Sequence, residues 1–447
     1  MTHLSSSTSD GAVGLHTARA SEAAQRAMAG SLAAAGVREG DRVVLSVAGS
    51  VEVVDAVLAA TRRGVVPVPL DPRLTAFERD RIVAEVEPAL VIDTSEALLA
   101  LLEGTEVDLA PWPRCRPMHF TSGTTGRPKG VWSGLLSDEH AEALALEERA
   151  LWGFAPDDVD LVVSPVYHSA PLRFATGTLL AGGSVAVLPH FDADDFVSAV
   201  HALRPTSMFC VPAHLQRLFA HLDTGVELDP SSFRLVAHAG APCPDPVRRR
   251  AHDLFGLDTV WEFYGSTEGQ FTACSAREWG EHHGTVGRAR AGRTITVDDE
   301  DLLWCAVPPW ARFEYWRDPG RTADVWRDTD EGPAFTVGDL GRVEPGGWVH
   351  LDSRREDLII SGGVNVYPAE VEAALEDLPG LVEVAVFGRP DDRWGQRVCA
   401  AWVGDVDEET LRARATERLA PPKRPKTWER LEALPRTATG KVRRGEL

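Results

Sequence analysis

The sequence predicts an α/β protein, with a large N-terminal domain of doubly wound sheets, a small β subdomain and a small α+β C-terminal domain. Three observations carry this. Short β-branched runs alternate with helical segments of about 10–15 residues, the rhythm of parallel strands joined by crossover helices. From about residue 285 that rhythm fades, and 294–350 becomes Gly/Pro-punctuated with short alternating strands. A new unit then begins beyond Arg354, in a chain of 447 residues that exceeds what one core ordinarily supports.

Taken in order, residues 17–36 are Ala-rich with helical apolar spacing, 42–47 (RVVLSV) read as a strand and 51–63 as a helix. Residues 65–70 and 89–93 are strand-like around a helix at 75–86. After a short apolar run at 118–120 and a Gly/Thr-rich loop, an Ala/Leu/Glu-rich helix is expected at 135–152. Strands follow at 161–164, 184–188, 207–211, 234–239 and 259–263. Helices are expected around 176–181, 192–203, 213–221 and 245–255. Beyond the boundary, placed at 353–357, helices are expected at 368–377 and 407–419, and strands at 381–387 and 397–403. This gives an N-terminal domain of residues 1–353 and a C-terminal domain of 354–447.

Composition narrows the function classes. With 44% hydrophobic and 25% charged residues the chain is that of a globular protein. A net charge of −21 argues against nucleic acid or an anionic membrane as the main partner. Only four lysines occur, Lys129, Lys423, Lys426 and Lys441, and arginine carries the remaining positive charge. The six cysteines are scattered without C-x-x-C spacing, which fits reduced buried thiols and neither a disulfide framework nor a zinc site. The first ten residues lack an apolar signal region and no run of about 18 apolar residues exists, so a cytoplasmic location without a membrane span is expected.

Residues 121–130 (TSGTTGRPKG) organise the chain. Glycine backbone approaches a phosphate closely, and its N–H groups, with the Thr and Ser hydroxyls, donate to phosphate oxygens. Lys129 adds a mobile positive charge. Alone, the stretch reads equally as a flexible surface loop, and Gly130 after the lysine excludes a Walker A loop. Downstream lie 164–171 (SPVYHSAP), 238–243 (HAGAPC), 261–269 (WEFYGSTEG), 336–341 (TVGDLG), 351–357 (LDSRRED), 360–368 (ISGGVNVYP) and 435–444 (PRTATGKVRR). In the third of these, Tyr264 offers a ring face, Thr267 a hydroxyl, and Glu268 a carboxylate of the kind that holds Mg²⁺ together with phosphates. Singly, His168 reads as a structural histidine, 238–243 as a β-to-α turn, Asp339 as a local turn residue and Lys441 as a solvated tail lysine.

In this order the stretches resemble the ANL adenylate-forming superfamily: acyl-CoA synthetases, non-ribosomal peptide adenylation domains and luciferases. The resemblance runs from about residue 30 to the end and is carried jointly by the motifs. It implies an ATP- and acyl-binding N-terminal domain and a mobile C-terminal lid. It assigns Thr121, Ser122, Gly123, Thr124, Thr125, Gly126 and Lys129 to the triphosphate. Gly240, Ala241, Pro242 and Tyr264 fall to adenine, Asp339 and Arg354 to ribose, and Thr267 to the phosphoryl oxygens. Glu268 falls to Mg²⁺, His168 to the acyl pocket and thiol tunnel, Lys441 to catalysis and Glu356 to the hinge. The family usually carries Asp or Lys at the hinge and Gly where Ser353 stands. The part before the loop and residues 285–312 look abbreviated.

The implied activity is ATP-dependent conversion of a small carboxylic acid to acyl-AMP, followed by transfer to coenzyme A. The alternative is a stand-alone adenylation enzyme passing the acyl group to a carrier protein or an amine. A silent nucleotide sensor is the reading from another class, against which the retained Lys441, Glu268 and loop speak. A homodimer is left open. No charged residue can be placed in the acyl pocket from sequence: Arg173 could pair with a second carboxylate or be a surface or structural arginine. The expected acid is an apolar aliphatic or aromatic monocarboxylate.

Overall fold

The computed structural model describes residues 13–121, 128–353, 358–435 and 442–447. In its large N-terminal part, a small parallel sheet sets the strand Arg42–Leu45 between Val66–Pro69 and Leu90–Ile92. The helices Ala18–Ala34 and Val51–Thr61 pack together beside it. The first two of these strands are covered on both faces, with Val44, Val66 and Val68 fully buried, whereas Val91 on the third is exposed.

A ten-stranded sheet forms the body. Its parallel centre runs Ser184–Val187, Val159–Val162, Ser207–Cys210, Leu235–His238 and Val260–Glu262, and it continues with four further strands from Thr272–Ser275 outwards. The doubly wound expectation holds there. The small β subdomain is a more intimate structure than the sequence suggested. Thr294–Val297, Leu303–Ala306, Gly332–Phe335 and Trp326–Thr329 make a separate antiparallel sheet, whereas Leu340–Glu344 and Trp348–Ser353 extend the large one. Glu314–Tyr315 joins neither of these sheets and pairs with Lys129–Trp132, which in turn pairs with His119–Thr121, while Tyr315 still packs in the subdomain core with Phe313 and Phe335. The start of that last pairing carries the Gly/Thr-rich loop.

Two helices position the candidate site. Asp138–Trp152 is capped by the Ser137 hydroxyl, which accepts from His140 N–H, carries Asp138 and Glu139 in its first turn, and ends on Gly153 in the left-handed region. Ser169–Leu180 repeats buried residues at Leu172, Ala175 and Leu179. Gly177 on this helix is required by contact: a Cβ there would lie 2.5 Å from the Phe154 ring.

The smaller C-terminal part is a sheet of Val364–Val366, Ile359–Ser361, Gly395–Gly404 and Leu381–Asp391, with Thr427–Arg430 added in parallel to Gly395–Gly404. The helices Pro368–Leu375 and Glu408–Arg418 cover one face around Val371, Leu375, Leu411 and Trp402. All six cysteines are buried and unpaired. No helix among the described residues is long and apolar enough to cross a membrane.

Candidate active site

The loop joining Val260–Glu262 to Thr272–Ser275 is a tight reversal. Gly265 bridges to Gln270, and the Ser266 N–H donates to the Gly269 carbonyl at 2.7 Å. This reversal turns Thr267 towards a cavity and buries Glu268, whose side chain is 5% exposed. Lys129 Nζ lies 2.8 Å from Glu268 Oε1 and 3.0 Å from the Tyr315 hydroxyl, which itself donates to Glu268 Oε1 at 2.8 Å. The ammonium also sits 4.4 Å from the Tyr315 ring centroid. Burial pushes the Glu268 carboxyl up, but Lys129 and Tyr315 outweigh it and hold it below the usual range. Glu268 is therefore ionised, and Lys129 is pinned rather than the mobile charge the sequence suggested. Tyr315, 186 residues from Lys129, arrives through its pairing with the Lys129–Trp132 strand. No sequence motif singled it out.

Tyr264 is 6% exposed, with its ring stacked on Phe271 at 4.7 Å between centroids. Its hydroxyl donates to Asp339 Oδ2 at 2.6 Å, so the candidate adenine and ribose residues are joined by one hydrogen bond. The turn Gly240, Ala241, Pro242 follows Leu235–His238 and is largely open to solvent. Gly240 has φ +85°, and a Cβ there would lie 3.5 Å from Val211; a Cβ on Gly363 of the C-terminal part would lie 3.3 Å from the same side chain. The 360–368 stretch thus reaches the candidate nucleotide face.

His168 stands at the N-terminus of Ser169–Leu180 and is exposed, with its ring 4.6 Å from that of Tyr167. The protein crowded around it depresses its pKa, so it is neutral at pH 7. Thr121 closes the strand His119–Thr121. Ser122, Gly123, Thr124, Thr125, Gly126, Arg354, Glu356 and Lys441 lie outside the described residues.

Beside Thr267 opens a cavity of about 170 Å³ walled by Leu58, Leu144, Phe154, Leu172 and Leu180. Of the charged groups in its wall, the sequence had offered only Arg173. Arg116, Arg173, Arg290, Arg293 and Glu148 all face it. Arg290 pairs with Glu147 at 2.8 Å and Glu148 at 2.7 Å, Arg293 pairs with Glu147, and Arg173 Nε stands 3.6 Å from Glu148 Oε2. Despite burial, Arg173 and Arg290 hold the Glu148 carboxyl down to about 2.

The comparisons bear on the same features. The AMP-binding enzyme model matches residues 14–112 and 115–306, and the AMP-binding enzyme C-terminal domain model matches 370–441. The chain belongs to the AMP-binding enzyme family, within the ANL superfamily. It is 34% identical to a feruloyl-CoA synthase from an Amycolatopsis species, over 94% of this chain and 91% of that one. It is 30% identical to the 2-succinylbenzoate–CoA ligase of Bacillus cereus strain AH820, over 92% and 89%. The structure superposes with a TM-score of 0.85 on a double mutant of the Bacillus subtilis o-succinylbenzoate CoA synthetase bound to a product analogue, at 26% identity over 96% and 92%. On the same enzyme in complex with its acyl-adenylate intermediate the TM-score is 0.66.

Proposed function

We propose that this protein is an AMP-forming acyl-CoA synthetase. It activates a small carboxylic acid with ATP to an acyl-AMP and pyrophosphate, then transfers the acyl group to the thiol of coenzyme A with release of AMP. The observation that carries the reading is the Lys129–Glu268 pair set next in the chain to Thr267, which lines a largely apolar cavity, in a chain whose relatives are named CoA ligases. An acid lying in that cavity presents its carboxylate to the same place where the phosphate-binding loop begins.

The difficulty in the first step is charge, because an anionic nucleophile approaches an anionic phosphate. The loop 121–127, Lys129 and Lys441 supply donors and positive charge to that region. The ionised Glu268 carboxylate, already fixed by two donors on Oε1, is a fitting ligand for Mg²⁺, which takes one or two carboxylates together with substrate phosphate oxygens and would neutralise part of the triphosphate charge there. Tyr264 and the turn 240–242 receive adenine, and Asp339, held by the Tyr264 hydroxyl, receives the ribose with Arg354. His168, neutral at the cleft wall, borders the path of the thiol.

The arrangement of the two parts is that of the second step in this reading. The loop containing Gly363 lies against Val211, beside the nucleotide turn, and the better superposition is on the relative bound to a product analogue. Rotation about Glu356 then carries Lys441 in for adenylation and out for thiol transfer. A Lys441→Ala variant tests the assignment: acyl-AMP formation falls by orders of magnitude while ATP still binds. Undiminished turnover in that variant contradicts it.

A further inference from the structure

The acyl cavity carries more positive charge than its own carboxylates balance. Five arginines line it, Arg116, Arg173, Arg290, Arg293 and the solvent-exposed Arg149, against the carboxylates of Glu148 and its neighbour Glu147. Glu268 does not redress the difference, since Lys129 already pairs with it. Leaving aside the solvent-exposed Arg149, Arg116 is the least compensated. Its terminal nitrogens donate to the main-chain carbonyls of Glu268, at 3.3 Å, and Arg312, at 3.1 Å, and its Nε is buried without a hydrogen-bond partner. Among the described residues no carboxylate lies within ion-pair distance of it. Arg173 Nε and Glu148 Oε2 also lack hydrogen-bond partners, because the 3.6 Å between them is too long for a hydrogen bond.

Buried charge without a partner is expensive, and a protein retains it where a ligand completes the pairing. Guanidinium is the group suited to that purpose, since its planar fork meets a carboxylate through two parallel N–H donors. Arg173 is well placed. It projects from Ser169–Leu180, one position after the cavity-lining Leu172, and its side chain is 26% exposed. Its guanidinium also lies 5.8 Å from the Phe263 ring centroid, which leaves the donor edge free to face a ligand.

Resting on the synthetase reading, we propose that the acid activated by this protein carries a second acidic group, a carboxylate, and that Arg173 and Arg116 receive it within the acyl cavity. The apolar walls take the carbon skeleton between the two acidic ends. This replaces the apolar monocarboxylate expected from sequence and takes up the alternative, raised there for Arg173, of pairing with a second carboxylate.

The test compares matched acids as substrates for acyl-AMP formation in the presence of ATP and Mg²⁺. Each set contains an aromatic or aliphatic dicarboxylic acid, its monomethyl ester, and the monocarboxylic acid of the same skeleton. The wild-type protein prefers the dicarboxylic acid over its monomethyl ester by about 30-fold or more in kcat/KM, the discrimination expected of a charge-assisted bidentate pair. In Arg173→Gln and in Arg116→Gln that ratio collapses to within about threefold. Equal or better use of the ester or monoacid by the wild-type protein overturns the proposal, whatever the variants do. Acyl-AMP from monoacids and esters alone overturns the subsite and leaves the synthetase standing. No acyl-AMP from any acid overturns both.

Discussion

Replacing Lys423 by methionine removes the cation from a contact that joins the two parts of the chain. Lys423 Nζ lies 2.9 Å from Glu78 Oε1 and 2.7 Å from Glu370 Oε1, and the two carboxylate side chains are only 8% and 9% exposed. Glu78 belongs to the N-terminal helix Ala76–Val86, where it also closes the capping box with Thr75; Glu370 belongs to Pro368–Leu375 in the C-terminal part. Methionine keeps most of the aliphatic stem, so the loss is one of charge. Two buried carboxylates then face one another without a cation, at about 3–5 kcal/mol. That is roughly two to three orders of magnitude in an equilibrium constant. The chain relieves it by parting the two units rather than by unfolding either, because each has its own core. Small-angle scattering and limited proteolysis near residues 354–357 read the opening. Thiol transfer from preformed acyl-AMP slows while acyl-AMP formation is spared. Glu78→Gln, which leaves Lys423 paired with Glu370, costs only about 1 kcal/mol. A Lys423→Met protein with the parent's scattering profile and thiol-transfer rate at pH 7 refutes the reasoning, as does a larger effect from Glu78→Gln.

Three further outcomes follow from the same contacts. Glu268→Gln strips Lys129 and Tyr315 of their charged partner, and pyrophosphate exchange falls by about 100-fold or more, by analogy with the loss of one preorganised electrostatic group at a reacting centre. Tyr264→Phe deletes the donor to Asp339; it lowers stability by about 1–3 kcal/mol in urea titrations and raises KM for ATP more than it lowers kcat. His119 and His238, 8% and 1% exposed, are kept neutral by burial, with pKa values pushed down to about 4 and about 3. The unfolded chain therefore binds protons at these sites below about pH 6.5 while the folded one does not, so stability is full above that value and falls as the pH drops towards 4. Urea midpoints at pH 7 and pH 5 read that slope, and His238→Asn flattens it.

Much of the fold was legible because it is written locally. The alternation of β-branched runs and helical segments survives in the parallel centre of the large sheet, and Asp245–Phe255 falls where its pattern put it. The subdomain was read less well. Its strands are short, and pairings such as Tyr315 with Val131 connect segments far apart in the chain, which no period reveals. The site divides in the same way. Thr267, Glu268, Tyr264 and Asp339 sit in recognisable stretches, and the structure brings each pair together. Arg116, Arg290 and Glu148 come from a pre-loop segment, a subdomain turn and the helix Asp138–Trp152, so their convergence is a property of packing alone. The Lys423 contact spans 345 residues to Glu78 and was equally silent.

The most direct measurement is mass spectrometry of reactions containing the protein, ATP, Mg²⁺ and a panel of carboxylic acids, each with and without coenzyme A. An acyl-CoA forming with one class of acid, together with AMP, is the predicted result. Acyl-AMP that accumulates while coenzyme A is ignored contradicts the synthetase assignment and turns attention to a carrier protein or an amine as acceptor.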